Sequence, residues 1–161
     1  MANTITVGIS DLNVIKSPDS LVTYALGSCV GICIYDKLGQ IAGMAHIMLP
    51  SINESSSKEN IYKFADSGIV ELIRKMELQG AKKVRMVAKI AGGAQMFKVT
   101  GKSLISNIGE RNVISVKNVL KSLGIRIIAE DTGLDYGRTI VFNGVDGSLT
   151  VKSVGRDIKT I

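Results

Sequence analysis

The sequence predicts an α+β fold of stacked, mostly antiparallel β-sheets with flanking helices, and three observations lead there. Short runs rich in Val, Ile and Thr are punctuated by Gly, Asp or Pro, as strands are. Two longer stretches carry apolar residues at helical spacing, and each stops at a glycine. The two kinds of segment do not alternate regularly, so a parallel sheet of βαβ units is not expected.

Strands are expected at residues 4–9, 21–26, 29–35 and 40–49. A polar loop over 51–57 then leads into a helix. Ser56 and Glu59 have the capping-box spacing that satisfies free N–H groups at a helix start. Ile61, Phe64, Ala65, Ile69, Leu72, Ile73 and Met76 share one face of that helix, and Gly80 ends it. A strand over 84–90 runs into the small-residue stretch Ala91-Gly92-Gly93-Ala94. The second helix starts near Ile108 and carries Val113, Val116, Val119, Leu120 and Leu123 before Gly124. Strands over 125–130, 138–142 and 149–154 finish the chain, the last two joined by the turn Asn143-Gly144-Val145-Asp146-Gly147. No repeat or linker divides the 161 residues, which are read as a single domain over 1–161.

Composition narrows the function classes. Apolar residues make up 45% and charged residues 21%, a globular rather than disordered balance. The start, Met1-Ala2-Asn3-Thr4-Ile5-Thr6, lacks the basic and apolar regions of a secretory signal. No apolar run approaches the ~20 residues of a membrane helix, so direct membrane insertion is not expected. With two cysteines and no export signal, the expected compartment is the reducing cytoplasm. The net charge of +6 raises the question of nucleic acid. The lysines are dispersed, however, and 4% aromatics without Trp make a poor base-stacking platform. Nucleic acid is therefore set aside; a mildly basic surface equally suits an acidic protein partner.

The chain has one histidine, His46, so any imidazole-dependent chemistry must use it. A multi-histidine metal site within the chain is excluded. Cys29 and Cys33, four residues apart with one histidine, are a poor start for a four-ligand zinc site, and no cofactor is expected. Register sharpens this. If a turn at Asp36-Lys37-Leu38-Gly39 pairs Asp36 with Gly39 and Tyr35 with Gln40, Cys29 falls directly opposite His46. Cross-strand partners lie ~5 Å apart at Cβ, within reach of a thiol–imidazole contact. A thiol of ordinary pKa ~8.5 is mostly protonated at neutral pH. A neighbouring imidazole can take its proton and later return one to a leaving amine. Gly27, two residues before Cys29, allows a tight turn that exposes the sulfur and offers nearby N–H groups to an oxyanion. Thr23 offers a hydroxyl that could orient the imidazole.

Thr23-Tyr24-Ala25-Leu26-Gly27-Ser28-Cys29-Val30 and Gly43-Met44-Ala45-His46-Ile47-Met48-Leu49-Pro50 together resemble the chemoreceptor glutamine deamidases of the CheD family. Gly92-Gly93-Ala94-Gln95-Met96-Phe97, Ile108-Gly109-Glu110-Arg111-Asn112, and the stretch from Asp131-Thr132-Gly133 to Gly137-Arg138-Thr139 extend the likeness over most of the chain. The resemblance implies a Cys–His–Thr triad on Cys29, His46 and Thr23, and a fold related to toxin-type cysteine deamidases. It implies hydrolysis of receptor glutamines to glutamate and ammonia, with glutamate methyl esters a chemically close second substrate. It also implies two partners: the cytoplasmic domain of a methyl-accepting chemoreceptor, and a CheC-type CheY-phosphate phosphatase that competes with receptor. Leu134 stands where that pattern leads one to expect a second glycine after Gly133.

Other residues carry plainer readings. Cys33, two steps along the strand, is read as a small buried hydrophobe. Ser28, Gly27, Gly92 and Gly93 are candidates for contact with substrate, although each also suits a turn or a backbone need. Asp131 and Arg138 suit an ion pair that holds a loop. A non-catalytic adaptor binding receptor and the CheC phosphatase, and a hydrolase of small amides, are the alternative functions.

Overall fold

The structure is a computed structural model and describes residues 2–96 and 107–161; Phe97, quoted above, lies outside the described residues. Among the described residues, ten strands form two five-stranded sheets. The first sheet takes β1 (Thr4–Thr6), β3 (Ser20–Leu26), β8 (Arg138–Asn143), β9 (Leu149–Lys152) and β10 (Lys159–Thr160), side by side in that order. The second runs β2 (Asp11–Lys16), β5 (Ile41–Ile47), β4 (Val30–Asp36), β6 (Met86–Gly92), β7 (Arg126–Thr132). Pairing is antiparallel except for β1 with β3 and β6 with β7, so the expected α+β architecture of stacked, mostly antiparallel sheets is what the chain forms.

Two apolar layers hold it together. One lies between the second sheet and the helices α1 (Ala65–Leu78) and α2 (Ile108–Ser122), where Ile32, Ile34 and Ile47 meet Ile69, Leu72 and Val116. Gly43 lets α1 sit close, since a Cβ there would lie 2.8 Å from the side chains of Leu72 and Met76. The other layer lies between the two sheets and contains Leu21, Leu26, Cys33, Met44, Ile140 and Phe142. Both strands of the β4–β5 hairpin are buried from end to end because they are covered on both faces. Both helices end as expected, at Gly80 (φ +108°) and Gly124 (φ +74°), where the left-handed backbone favours glycine.

Apart from shifts of a residue or two at strand ends, among them a 3-10 turn over Lys83–Arg85 where the expected 84–90 strand begins, the structure differs from the sequence reading in four places. The first helix starts at Ala65 with Phe64 as its N-cap, not at the Ser56–Glu59 capping box. Short 3-10 turns, Ile52–Glu54 and Ile61–Lys63, occupy the approach, capped by the side chains of Ser51 and Asn60. The first strand stops at Thr6, and a separate edge strand, β2, follows after Ser10 (φ +58°). The short strand β10 was not expected from the sequence.

The fourth difference is register. Asp36 pairs with Ile41, so the β4–β5 loop spans residues 37–40 rather than closing on Gly39. The Asp36 carboxylate dictates this. It accepts from the Gly39 N–H (3.0 Å), the Lys82 N–H (2.9 Å) and both Nε and Nη2 of Arg85 (2.9 and 2.8 Å). Burial alone would raise its pKa; the Arg85 guanidinium and the backbone N–H bonds outweigh that and hold it at about 2. A buried carboxylate needs such partners, and they set where the loop closes.

Candidate active site

The register shift places Gly31, not Cys29, opposite His46. A shift of two residues keeps the face, because side chains alternate along a strand. Cys29 therefore still packs on the inter-sheet side, as His46 does, but as a diagonal neighbour one residue before β4. Diagonal positions are ~7–8 Å apart along the sheet, within reach of side chains. Gly31 leaves no side chain in front of the ring. A Cβ there would meet Ile140 Cδ1 at 2.7 Å, so the other sheet fills that slot.

His46 is fully buried, and its Nδ1 lies 2.7 Å from Thr23 Oγ1 across the gap between the sheets. Thr23 Oγ1 also lies 2.7 Å from the Val7 carbonyl oxygen. A hydroxyl has one proton, and only a donated proton can join it to a carbonyl. Thr23 thus donates to Val7, and must accept from His46 Nδ1–H. That assignment leaves Nε2 as the unprotonated ring nitrogen. Nε2 is buried and has no hydrogen-bond partner among the described residues, the Cys29 thiol included.

Both groups rest uncharged. Burial pulls the His46 pKa from its usual value down to about 4. Burial also pushes the Cys29 thiol up, and a hydrogen bond from its own backbone N–H counters that only in part. A neutral thiol beside a neutral imidazole suits general-base deprotonation during attack rather than a standing thiolate–imidazolium pair.

The turn bearing Cys29 is fixed through its carbonyls. Gly27 O accepts from Ala94 N–H (2.8 Å) and Cys29 O from Gly93 N–H (2.8 Å). Ser28 O accepts from the Asn112 side-chain amide (2.9 Å). With these carbonyls turned towards β6 and α2, neither the Ser28 nor the Cys29 N–H donates to another backbone group among the described residues. Upstream, a bulge with Ala25 at φ +58° sends Tyr24 and Ala25 outward and turns the chain into Gly27. Met96 covers Gly27, where a Cβ would lie 3.1 Å from its Cγ.

Gly92 and Gly93 serve this turn through their backbone. At Gly92 (φ +111°) a Cβ would lie 2.3 Å from the Cys29 carbonyl oxygen. The loop after β7 docks behind them: Gly133 N–H donates to Gly92 O (3.0 Å), and Gln95 N–H to Leu134 O (2.8 Å). Leu134 holds φ +60°, so it takes up the left-handed conformation where a glycine was expected. Arg138 braces that loop, donating through Nε to Asp131 (3.0 Å) and through Nη1 to Gly133 O (3.0 Å). Cys33 is completely buried, and burial pushes its thiol far up.

Asn112, which the sequence offers only within the family-like stretch Ile108-Gly109-Glu110-Arg111-Asn112, has a specific structural task. Its side-chain nitrogen donates to Ser28 O and to Met48 O, both at 2.9 Å, tying the Cys29 turn to the chain just after His46. A signal was present: Ile108, Asn112, Val116 and Leu120 are four apart, so a polar residue interrupts the buried face of α2. Among the described residues no cluster of His, Cys, Asp or Glu could hold a metal ion, and no helix is long and apolar enough to cross a membrane.

Comparison with known proteins identifies the family. The family model for CheD chemotactic sensory transduction matches residues 48–153. A probable chemoreceptor glutamine deamidase CheD of Caldanaerobacter subterraneus subsp. tengcongensis is 55% identical over 155 residues, 96% of each chain. Another so named, of Lachnoclostridium phytofermentans, is 51% identical over 161 residues, 100% of each. These relatives extend over Thr23, Cys29 and His46, which precede the model's match. Among solved structures, a Neisseria meningitidis protein of DUF152 shares the fold (TM-score 0.54, 12% identity), covering 81% of this chain, which spans 64% of that one. The chain belongs to the CheD family.

Proposed function

We propose that this protein deamidates glutamine side chains of chemoreceptors, with Cys29 as nucleophile, His46 as base and Thr23 as the residue that orients His46. The observation that carries the reading is the Val7–Thr23–His46 hydrogen-bond chain, which leaves Nε2 as a free base beside a half-buried thiol. The names of the relatives supply the substrate class.

Rotation of the Cys29 side chain closes the gap to Nε2 when substrate arrives; such contacts commonly tighten only in the complex. Nε2 takes the thiol proton as Sγ attacks the amide carbon, and the oxyanion accepts from the Cys29 N–H. Nε2–H then gives its proton to the departing nitrogen, which leaves as ammonia, and a thioester remains. A water molecule, deprotonated by Nε2, attacks the thioester; glutamate departs and the proton returns to Cys29. No cofactor enters. The same steps cleave a glutamate methyl ester with methanol as leaving group, so receptor methylesterase activity follows the same route. Receptor cytoplasmic domains place this chemistry in the cytoplasm, and the family likeness supports a CheC-type phosphatase as competing partner.

The test is direct. Purified protein is incubated with a receptor cytoplasmic fragment, and peptides are examined by mass spectrometry for a gain of about one dalton at glutamines. No gain under conditions where the fragment binds would leave the adaptor function in its place.

The resting charges set the pH profile. Protonated His46 cannot accept the thiol proton, so kcat/KM falls as pH drops through about 4, not through the ordinary histidine range. Activity measured between pH 4 and 8 is expected to stay level above about 5. An acid limb centred near 6.5 would show instead a histidine titrating as it does in water. Thr23→Val removes the acceptor of Nδ1–H and frees the ring to take the wrong tautomer. It is expected to lower kcat about 100-fold with KM little changed, and Thr23→Ser to restore most of the loss.

A further inference from the structure

Beside the Cys29 turn runs a groove of about 730 Å³, too large for a single side chain. Its exposed apolar residues are Tyr24, Val154 and Ile158. Its charged lining is cationic: Lys152, Arg156 and Arg138, with no carboxylate. Among the described residues, neither Lys152 nor Arg156 has a carboxylate within ion-pair distance. Arg156 is held in place, its guanidinium carbon 3.8 Å from the centre of the Tyr136 ring, and Arg138 takes up a similar position at 4.5 Å. Arg138 is buried, and its Nη2 has no partner among the described residues. Asp157 faces a neighbouring depression rather than this one.

The groove is mechanically joined to the site. Tyr24 and Ala25 form the bulge that leads into Gly27-Ser28-Cys29, and Leu26 pairs with Arg138. Arg138 in turn holds Gly133, which is bonded to Gly92 behind Cys29. Arg138 spends part of its charge on Asp131, whereas Lys152 and Arg156 have no counter-charge among the described residues; two such cations beside exposed apolar residues select an anionic, amphipathic partner and steer it on approach. We infer that this groove docks an acidic segment of the protein substrate flanking the glutamine to be hydrolysed. This inference rests on the deamidase reading, and it adds where specificity for a protein, rather than for free glutamine, resides.

The test compares wild type with the double variant Lys152→Glu, Arg156→Glu on the receptor cytoplasmic fragment. Both positions are exposed, and circular dichroism checks that the variant folds. The variant's KM is expected to rise about tenfold with kcat within about twofold. Wild-type KM is expected to climb with added salt, and the variant's to respond much less. Unchanged KM and unchanged salt response would overturn the proposal. Fluorescence anisotropy of the same fragment separates it from the deamidase reading. If wild type binds the fragment but deamidates nothing, the hydrolase assignment falls, while loss of binding in the double variant still upholds the groove and retained binding overturns it. Anionic vesicles that bind wild type but not the variant, with receptor binding undisturbed, would assign the groove to a membrane surface and overturn the proposal.

Discussion

Cys29→Ala is expected to abolish the mass gain at receptor glutamines, with at least about 10⁴-fold loss of turnover, while the protein stays folded and still binds receptor. The sulfur is the sole atom removed, and the carbonyl bonds of Gly27, Ser28 and Cys29 that shape the turn are main-chain acceptors that do not depend on it. The site is half-buried, so little apolar area is lost. His46→Asn should lose about as much, since groups that act as one unit fail together. Cys33→Ala is the internal control. Cys33 lies on the same inter-sheet layer, but it is sealed from solvent and its pKa is driven far up by burial. Its loss is expected to cost roughly 1 kcal/mol of packing and to leave kcat unaltered. Denaturant midpoints and steady-state rates on one preparation distinguish the two cysteines. Equal loss of activity from both would show that the thiol assignment is wrong.

Much of this site was legible because its signals are local or eliminative. A lone histidine, a Gly–Ser–Cys turn and two buried strands brought Cys29 and His46 to one face even though the assumed loop was two residues too short. The error was harmless only because side chains alternate with period two. What the sequence concealed depends on partners distant along the chain. The length of the β4–β5 loop follows from Asp36 meeting Arg85 and Lys82, nearly fifty residues on. The Thr23 hydroxyl meets His46 only because two separate sheets stack, and its second partner, the Val7 carbonyl, leaves no mark in side-chain pattern. Asn112 was visible as an oddity on an apolar helix face, but its two carbonyl partners were not. The edge strand β2 was hidden because its buried Leu12 and Ile15 are three apart, which breaks the alternation by which strands are recognised. The displaced helix start shows that a capping box is only a local preference. Docking of Leu49 beside Phe64 and of Ala65 N–H on Leu49 O outweighs it.

The second large effect is expected from Gly92→Ala, a single added methyl group on a residue that takes no part in proton transfer. Two costs combine at this position. An L-residue at φ +111° is strained by about 1–3 kcal/mol. Its Cβ would also lie 2.3 Å from the Cys29 carbonyl oxygen and 3.2 Å from Val30 Cα, both backbone atoms that cannot rotate away. Relief requires the turn to move, which loosens the Gly93–Cys29 bond and shifts the sulfur relative to Nε2. We therefore expect a stability loss of roughly 2–4 kcal/mol by urea denaturation together with a fall in kcat of about 100-fold or more. Gly133→Ala separates the two costs. Gly133 is also left-handed (φ +79°), but a Cβ there meets nothing within 4 Å. Its neighbour Leu134 already accepts a left-handed backbone with a full side chain. Gly133→Ala should thus lose only about 1 kcal/mol, with kcat retained. If both variants lost activity alike, backbone strain in the supporting loops would govern the site, and the close approach of Gly92 to Cys29 would not.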